Sequence, residues 1–415
     1  MSAFYRPFHR VIAVQFVSAL ADNALLIVAI ARLLELAAAD WTIPLLKLSF
    51  TLCYVFLAPF VGPLADAWPK GRVMVAANLL KLLAACLLLG GADPLLVLAV
   101  AGLGAAVYAP AKYGLITELL PADQLVRANG YIEGSTVCAV ILGTVLGGAL
   151  VSPLLRDLPL PEVLIAPVGT TTSLSAGMLG LLLLYGVATA LNVGIVDSGV
   201  RYPRHSRHAG HMVQRFFSEN RILWRDPLGG VSMAVTTLLW GIGATLQLVV
   251  LRWAEESLGL ALSQAAYLQG VTAVGVIAGA TWASQTVSLA GATRLLPLGI
   301  AMGLLVPCMA SVQSLGWAAG LLMLVGAMAG YFVVPMNALL QHRGHALLTA
   351  GRSIAVQGFN ENAGILLMLS LYAASTALQI ALHQLLWCFG GLVATAMAVI
   401  TLLHYRRRLQ ALSSN

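Results

Sequence analysis

The chain has 415 residues, of which 60% are hydrophobic and only 9% are charged, whereas about 25% of the residues of a soluble protein are charged. So few charged side chains, with a mean hydropathy of +0.89, exclude a water-soluble globule. One span takes about 20 apolar residues, and about 35 with its loop, so the sequence predicts an integral membrane protein with about 12 spans.

Apolar runs between polar loops predict the positions of these spans. The predicted helices are 11–34, 43–65, 72–90, 94–117, 127–151, 173–196, 229–252, 264–287, 294–312, 316–340, 353–374 and 379–403. The first run resembles a signal peptide up to Ala21, but it resumes and continues to Leu34. That length is typical of a span, so we predict no cleavage.

The longest polar segment is a basic linker at 197–228, between an N-terminal six-helix half at 1–196 and a C-terminal half at 229–415 that ends in a basic tail. Most of the 23 basic residues lie on one side if the N-terminus is cytoplasmic, so the positive-inside rule places both termini in the cytoplasm. This topology accounts for the net charge of +7 without a nucleic-acid partner. We predict that the linker is a solvated tether near anionic headgroups.

The two halves repeat in parallel. Pro110 and Lys112 of the fourth helix correspond to Pro335 and Asn337 of the tenth. Farther along, Tyr131-Ile-Glu133 corresponds to Phe359-Asn-Glu361. Two six-helix halves repeated about an axis along the membrane normal are the architecture of major facilitator transporters, so we predict that all-α fold.

The loop between the second and third helices resembles the cytoplasmic motif of that superfamily. It contains Gly62, Asp66 and a Gly71-Arg72 pair that comes two residues later than usual. Gly62 allows close helix approach, and Asp66 either pairs with Arg72 or caps a neighbouring helix, which would lock one conformer. The alternative is a charge cluster that only sets topology.

Charged and amide side chains inside spans are costly and are therefore candidates for function. The predicted substrate-binding residues of this kind are Asp22, Asn23, Lys81, Lys112 and Asn337. A structural network that pairs acids with lysines is the alternative. Glu133 and Glu361 either contact substrate or close a gate against Arg127, Arg343 or Arg352. Two lysines with two or three acids favour a substrate that carries a phosphate and a cation.

The chain carries no motif of an enzyme and no nucleotide-binding domain, so we predict a transporter that is passive or driven by a gradient. The five cysteines lie singly in apolar stretches, without a CxxC pair or a His at ligand spacing. We therefore predict no disulfide, no metal site and no cofactor.

Four blocks resemble bacterial lysophospholipid transporters of the major facilitator superfamily. They are Gln15–Leu26, Tyr108–Gly114, Ala128–Gly130 and Val333–Gln341. The resemblance covers essentially the whole chain, and the late Gly-Arg pair agrees with it. Where that family tends to have an Arg proposed to face Asp22, this chain has Gln247, a predicted substrate contact. Arg252, over a helical turn away and predicted to act in gating, either replaces that Arg or leaves the position without a cation.

The resemblance implies an energy-independent flippase of the bacterial inner membrane, and we expect it to be a monomer. It implies movement of lysophosphatidylethanolamine and related lysophospholipids to the cytoplasmic leaflet, with an acyltransferase coupled to acyl-carrier-protein synthetase as functional partner. We expect the substrate's acyl chain to stay in lipid or in a lateral opening near Gly143, Gly147 and Gly364. The alternatives are a proton-coupled exporter in which Asp22 titrates and, in a different class, a non-transporting scaffold.

Overall fold

The structure is a computed structural model that describes residues 2–39, 42–156, 173–202, 208–260 and 262–413. Two basic residues of the linker that count toward the positive-inside pattern, Arg204 and Arg207, lie outside these ranges. Fifteen α-helices are described. They are α1 Ser2–Glu35, α2 Thr42–Phe56, α3 Ala58–Ala67, α4 Lys70–Leu89, α5 Pro94–Leu119, α6 Leu125–Leu150, α7 Pro153–Arg156, α8 Ser175–Val193, α9 Ala209–Arg225, α10 Pro227–Leu258, α11 Leu262–Thr286, α12 Leu296–Leu305, α13 Leu315–Leu347, α14 Ala350–Ala377 and α15 Leu382–Ser413.

Helices lie at all twelve predicted positions, which confirms the all-α prediction. In the described part of the chain, nine helices are long and apolar enough to cross a membrane. The number of candidate spans is ten if the bent pair α2 and α3 is counted as one span. Predicted spans 264–287 and 353–374 coincide with α11 and α14, which are outside that count. The first half of α14 carries Arg352 and Glu361.

Two predicted spans are interrupted at prolines. The second is divided at Leu57, where α2 and α3 meet at a 64° bend, and Pro59 is in the first turn of α3. The ninth consists of α12 flanked by 3₁₀ turns at Leu289–Leu295 and Val306–Ser311, with Pro297 and Pro307 at the starts of its second and third pieces. Proline has no amide hydrogen to donate, so helices often restart at it.

The chain forms two compact units. The first contains residues 1–119, 138–217 and 349–358, and the second contains 120–137, 218–348 and 359–415. Each unit therefore holds most of one predicted six-helix half together with one helix end from the other half. The exchanged ends are the start of α6, in the second unit, and the start of α14, in the first.

Apolar side chains of α1, α4 and α8 fill the core of the first unit, where Leu25, Leu88 and Tyr185 are fully buried. In the core of the second unit, the buried Trp253 indole N–H donates to the Met309 carbonyl oxygen at 2.8 Å. That bond satisfies a polar group that neither lipid nor the apolar core could satisfy.

Helices α11 and α13 of the second unit meet through glycines on both sides. A Cβ at Gly279 would lie 1.9 Å from the Ala327 carbonyl oxygen, and one at Gly330 would lie 2.2 Å from the Val276 carbonyl oxygen. Only glycine permits such an approach, as in small-residue seams between membrane helices. These glycines position α13 and its polar residues.

Glycines of α6 and α14 pack in the same way. A Cβ at Gly143 would lie 2.5 Å from the Leu20 carbonyl oxygen of α1, and one at Gly364 would lie 2.8 Å from the Thr237 side chain of α10. Gly147 also faces α1, whereas Gly148 faces open space. In this structure the glycines expected near a lateral opening are thus covered by neighbouring helices.

Candidate functional site

The first unit contains a buried ion pair between two predicted site residues. Asp22 lies in the middle of α1, and its Oδ2 is 2.6 Å from Lys81 Nζ of α4. The Lys81 side chain is 3% exposed and that of Asp22 is 17% exposed. The Tyr185 hydroxyl of α8 donates to Asp22 Oδ1 at 2.9 Å. The acid–lysine network that the sequence left open therefore exists.

Two small polar side chains extend the pair. Lys81 Nζ donates to Ser18 Oγ at 3.0 Å, and the Ser18 hydroxyl donates to Asn78 Oδ1 at 2.9 Å. Ser18 is one helical turn before Asp22, and Asn78 is three residues before Lys81, so each helix presents two polar groups on one face. The sequence analysis did not single out Ser18, Asn78 or Tyr185, although the first two have helical spacing from the charged residues.

Helix α5 shapes the lysine side of this cluster. A Cβ at Gly104 would lie 2.9 Å from Lys81 Cγ, and Lys81 Nζ lies 5.1 Å from the centroid of the Tyr108 ring. Lys112 follows Tyr108 by four residues, so Gly104, Tyr108 and Lys112 lie along one face of α5. The Lys112 Nζ lies 4.0 Å from the Tyr113 ring centroid, and the residue is 8% exposed.

The chemistry of the pair follows from its burial. A single charge in this environment is costly, and the two charges compensate each other only while they remain in contact. A ligand with both a cation and an anion can replace one internal pair by two new ones with no change in net charge. A ligand with one charge leaves the other residue uncompensated.

The predicted latch around Asp66 caps a helix. Asp66 Oδ1 accepts from the Gly351 amide at 2.9 Å, and Oδ2 accepts from the Thr349 hydroxyl. Both groups lie at the start of α14, where an anion satisfies free backbone amides and the helix dipole. Arg72 is exposed, so the structure matches the capping alternative for Asp66. A Cβ at Gly62 would lie 2.9 Å from Cα of Arg352, which explains the glycine.

A second buried ion pair adjoins the capped helix start. Lys70 Nζ lies 2.5 Å from Glu118 Oε1 of α5 and 3.7 Å from Asp66 Oδ1. The Ser198 hydroxyl, just beyond α8, donates to Glu118 Oε2 at 2.5 Å. The Tyr202 ring lies under the Lys70 ammonium at 5.1 Å. Glu118 was not among the residues predicted from the sequence, and its pairing with Lys70 became evident only in the structure.

In the second unit, the start of α6 pairs with α13 through amides. Asn129 and Gln341 exchange two hydrogen bonds, of 2.9 and 3.0 Å, and both are almost fully buried. One turn along each helix, Asn337 Nδ2 donates to Glu133 Oε1 at 3.3 Å. The two pairs are four residues apart on each helix, and the helices run antiparallel, so the pairs form a polar ladder between α6 and α13. The sequence analysis predicted roles for Glu133 and Asn337 but not for the amide pair.

Arg343, a predicted gating residue, pairs with Asp226. Its Nη2 and Nε donate to the two carboxylate oxygens at 2.6 and 3.0 Å. Asp226 also caps α10, because its Oδ2 accepts from the Gly229 amide at 2.7 Å. Burial acts to raise the pKa of Asp226, but the hydrogen bonds from Arg343 and Gly229 outweigh it and hold the pKa below its ordinary value.

A model of the Major Facilitator Superfamily matches residues 11–368. The lysophospholipid transporter LplT of Pectobacterium carotovorum subsp. carotovorum (strain PC1) is 40% identical over 369 residues, 89% of this chain and 86% of its own length. The LplT of Cronobacter sakazakii (strain ATCC BAA-894) is 38% identical and covers 98% of both chains. The chain belongs to the lysophospholipid transporter family of the major facilitator superfamily. The LplT of Escherichia coli (strain K12 / DH10B) is also 38% identical to this chain, over 94% of each chain.

Solved structures share the fold of the family. A bacterial homologue of the iron transporter ferroportin in its outward-facing state superposes with a TM-score of 0.72, at 14% identity over 97% of this chain and 99% of that one. The transporter FucP in its outward conformation gives a TM-score of 0.70, at 15% identity over 97% and 99%. Identities this low show the fold alone. The candidate spans and the family together show a multi-pass membrane protein.

Other predicted residues have local partners. Arg252 Nε contacts Glu256 Oε1 at 2.6 Å one turn along α10, and the backbone carbonyl of Gln247 accepts from the Gln269 side chain at 2.9 Å. Asn23 Nδ2 donates to the Ala19 carbonyl oxygen at 2.8 Å. Arg127 donates to the Tyr131 hydroxyl at 3.4 Å, and Glu361 is partly buried. Within the first unit, Lys81 is the cation that Asp22 contacts.

Proposed function

We propose that this chain transports lysophospholipids, among them lysophosphatidylethanolamine, to the cytoplasmic leaflet of the bacterial inner membrane. The relatives named LplT, 38–40% identical over most of the chain, carry this proposal. The buried pair of Asp22 and Lys81 supports it, because a lysophospholipid headgroup joins a phosphate to a group that can donate hydrogen bonds. The even number of predicted spans and the positive-inside pattern support cytoplasmic termini.

The headgroup enters by exchange with the ion pair. The phosphate takes the place of Asp22 on the Lys81 ammonium, since a fixed cation compensates an anion in a low dielectric. The freed Asp22 carboxylate keeps its bond from Tyr185 and accepts new ones from the headgroup's ammonium. The change in net charge within the site is zero, so the exchange requires no proton. This agrees with energy-independent flipping.

Lys112 supplies a second position for the phosphate. It lies two turns from Gly104 on the α5 face that Lys81 contacts, and the helical rise puts about 6 Å between Tyr108 and Lys112. A phosphate can pass from one lysine to the next along this face. Asn23, Gln247 and Asn337 remain predicted substrate contacts.

The ladder between α6 and α13 forms a gate within the second unit, and Asp66 stays a predicted gating residue. Access from the linker side requires that the Asn129–Gln341 pair separate. Every bond of this gate can be replaced by water, so opening exchanges hydrogen bonds without loss. Arg72, Arg127, Arg252, Arg343 and Glu361 stay predicted gating residues.

The acyl chain remains in lipid or in a lateral opening during transport. Full enclosure of a 16-carbon tail would be worth roughly 10 kcal/mol at about 0.8 kcal/mol per methylene if the tail came from water, but it exchanges like for like when it stays in lipid. The product enters the leaflet where an acyltransferase coupled to acyl-carrier-protein synthetase re-esterifies it. A monomer suffices for this cycle.

Proteoliposomes test the proposal with labelled lysolipids that share one acyl chain. We expect flux for the ethanolamine headgroup. We expect slower flux for choline, which has no N–H for Asp22, and for glycerol, which has no cation to compensate Asp22. A pH gradient of either sign should leave the rate unchanged. Flux that depends on the pH gradient would instead identify a proton-coupled exporter, and no flux of any lysolipid would contradict transport.

The matched variants are Asp22→Asn and Asp197→Asn. Asp197 makes an exposed pair with Arg201, so its neutralisation should leave flux at the wild-type level. Asp22→Asn should reduce flux at equal amounts of folded protein. Equal flux in both variants would contradict the assigned role of Asp22.

A further inference from the structure

The linker helix α9 has one face packed against protein. Phe216 and Leu223 are 3% and 0% exposed, and Glu219, the only acid of the helix, is 7% exposed. These positions are spaced by three, four and seven residues and therefore lie along one face. The acid of α9 is thus removed from the surface that faces outward.

A different face carries aromatic and cationic side chains. Phe217 and Trp224 are 53% and 39% exposed, and Arg221 is exposed between them. The spacing of four and then three residues places the three side chains in one stripe, and Arg225 is exposed beside it. Because the only acid is buried, this face is basic and apolar.

The stripe is fixed at the entrance of a membrane span. Helix α9 ends at Arg225 and α10 begins at Pro227, and a Cβ at Gly230 would lie 2.3 Å from the Trp224 carbonyl oxygen. The Trp224 indole N–H donates to Asn360 Oδ1 at 3.0 Å, which orients the ring. The corner therefore holds the stripe beside the first turn of α10, a candidate membrane span.

We propose that α9 is a surface helix that docks on anionic lipid of the leaflet from which α10 starts. The rings of Phe217 and Trp224 lie at the boundary of headgroups and acyl chains, where aromatic side chains are enriched. The guanidinium groups of Arg221 and Arg225 bind lipid phosphates, which requires a surface of opposite charge. This interaction is separate from the proposed transport site.

Hydrogen exchange of the full-length protein in nanodiscs tests the docking. Discs of neutral phosphatidylcholine are compared with discs that contain anionic phosphatidylglycerol. Each basic residue at an anionic surface contributes about fivefold to binding, so we expect amides of 209–225 to exchange at least about tenfold more slowly in anionic discs. Added salt should reduce the difference.

The decisive variant is Arg221→Gln with Arg225→Gln, which should abolish the lipid dependence. The matched control, Arg406→Gln with Arg407→Gln in the C-terminal tail, should retain it. Exchange in Pro227–Leu258 reports whether each variant is folded. Equal exchange of 209–225 in both kinds of disc would overturn the proposal. Protection that follows protein concentration in detergent would assign the face to a second copy and also overturn it.

Discussion

The pair of Asp22 and Lys81 predicts an asymmetric double-mutant cycle for stability. Asp22→Asn leaves the Lys81 ammonium, 3% exposed, without its carboxylate partner and bonded to the Ser18 hydroxyl oxygen. Loss of one partner of a buried pair costs about 3 to 5 kcal/mol, so we expect a loss near 3 kcal/mol. Lys81→Met should cost less, about 2 kcal/mol, because the Asp22 side chain is 17% exposed and keeps the Tyr185 bond.

The double variant Asp22→Asn/Lys81→Met should recover most of this loss, since replacement of both charges is often neutral. In a thermal unfolding assay in detergent, about 3 kcal/mol corresponds to a fall in Tm of roughly 3 to 5 °C for a chain of this size. The expected order of Tm is wild type and double variant together, then Lys81→Met, then Asp22→Asn. A double variant whose Tm loss equals the sum of the single losses would refute the coupling.

Three further predictions concern the gate, the lysine and the α10 cap. Asn129→Leu leaves the buried Gln341 amide without its partner, so the free energy of unfolding should fall by about 1 to 3 kcal/mol. Cysteines introduced near the gate should also become more accessible to a thiol reagent added from the linker side. Unchanged accessibility would contradict the gate. Gly104→Ala should slow lysolipid flux at equal amounts of folded protein, because the added Cβ would lie 2.7 Å from the Ala77 carbonyl oxygen and 2.9 Å from Lys81 Cγ and would displace α4 with its lysine. Wild-type flux would show that the position of the lysine stem is irrelevant. The ion pair of Asp226 with Arg343 should make wild type more heat-stable than Asp226→Asn at pH values above the carboxyl's ordinary pKa of about 3.9. Because the pKa of Asp226 is lowered in the folded state, this difference in Tm should shrink as the pH falls below that value. A difference in Tm that persisted in acid would refute the prediction.

The helix positions were predictable because each span is a long apolar run, which is a local property of the sequence. The bend at Leu57 was not predicted, although Pro59 is visible in the sequence. A proline in a span is compatible with a kink, a break or a straight helix, and the packing around it decides which occurs. The mixed membership of α6 and α14 in the two units likewise depends on contacts between residues far apart in the chain.

The charged members of the site were predictable because Asp22 and Lys81 are rare inside spans. Their mutual contact joins α1 and α4, and the sequence gives no register between those helices. Ser18 and Tyr185 were missed because such residues occur in many spans without any polar role. Asn129 and Gln341 both belong to blocks of family resemblance, but their pairing became evident only from the reciprocal hydrogen bonds.

The most direct measurement is the flux of labelled lysophosphatidylethanolamine in proteoliposomes that contain wild type or Asp22→Asn/Lys81→Met at equal amounts of folded protein. The account predicts that the double variant is as stable as wild type but transports at a small fraction of its rate, because the headgroup finds neither charge. Wild-type flux through the double variant would contradict headgroup exchange at this pair.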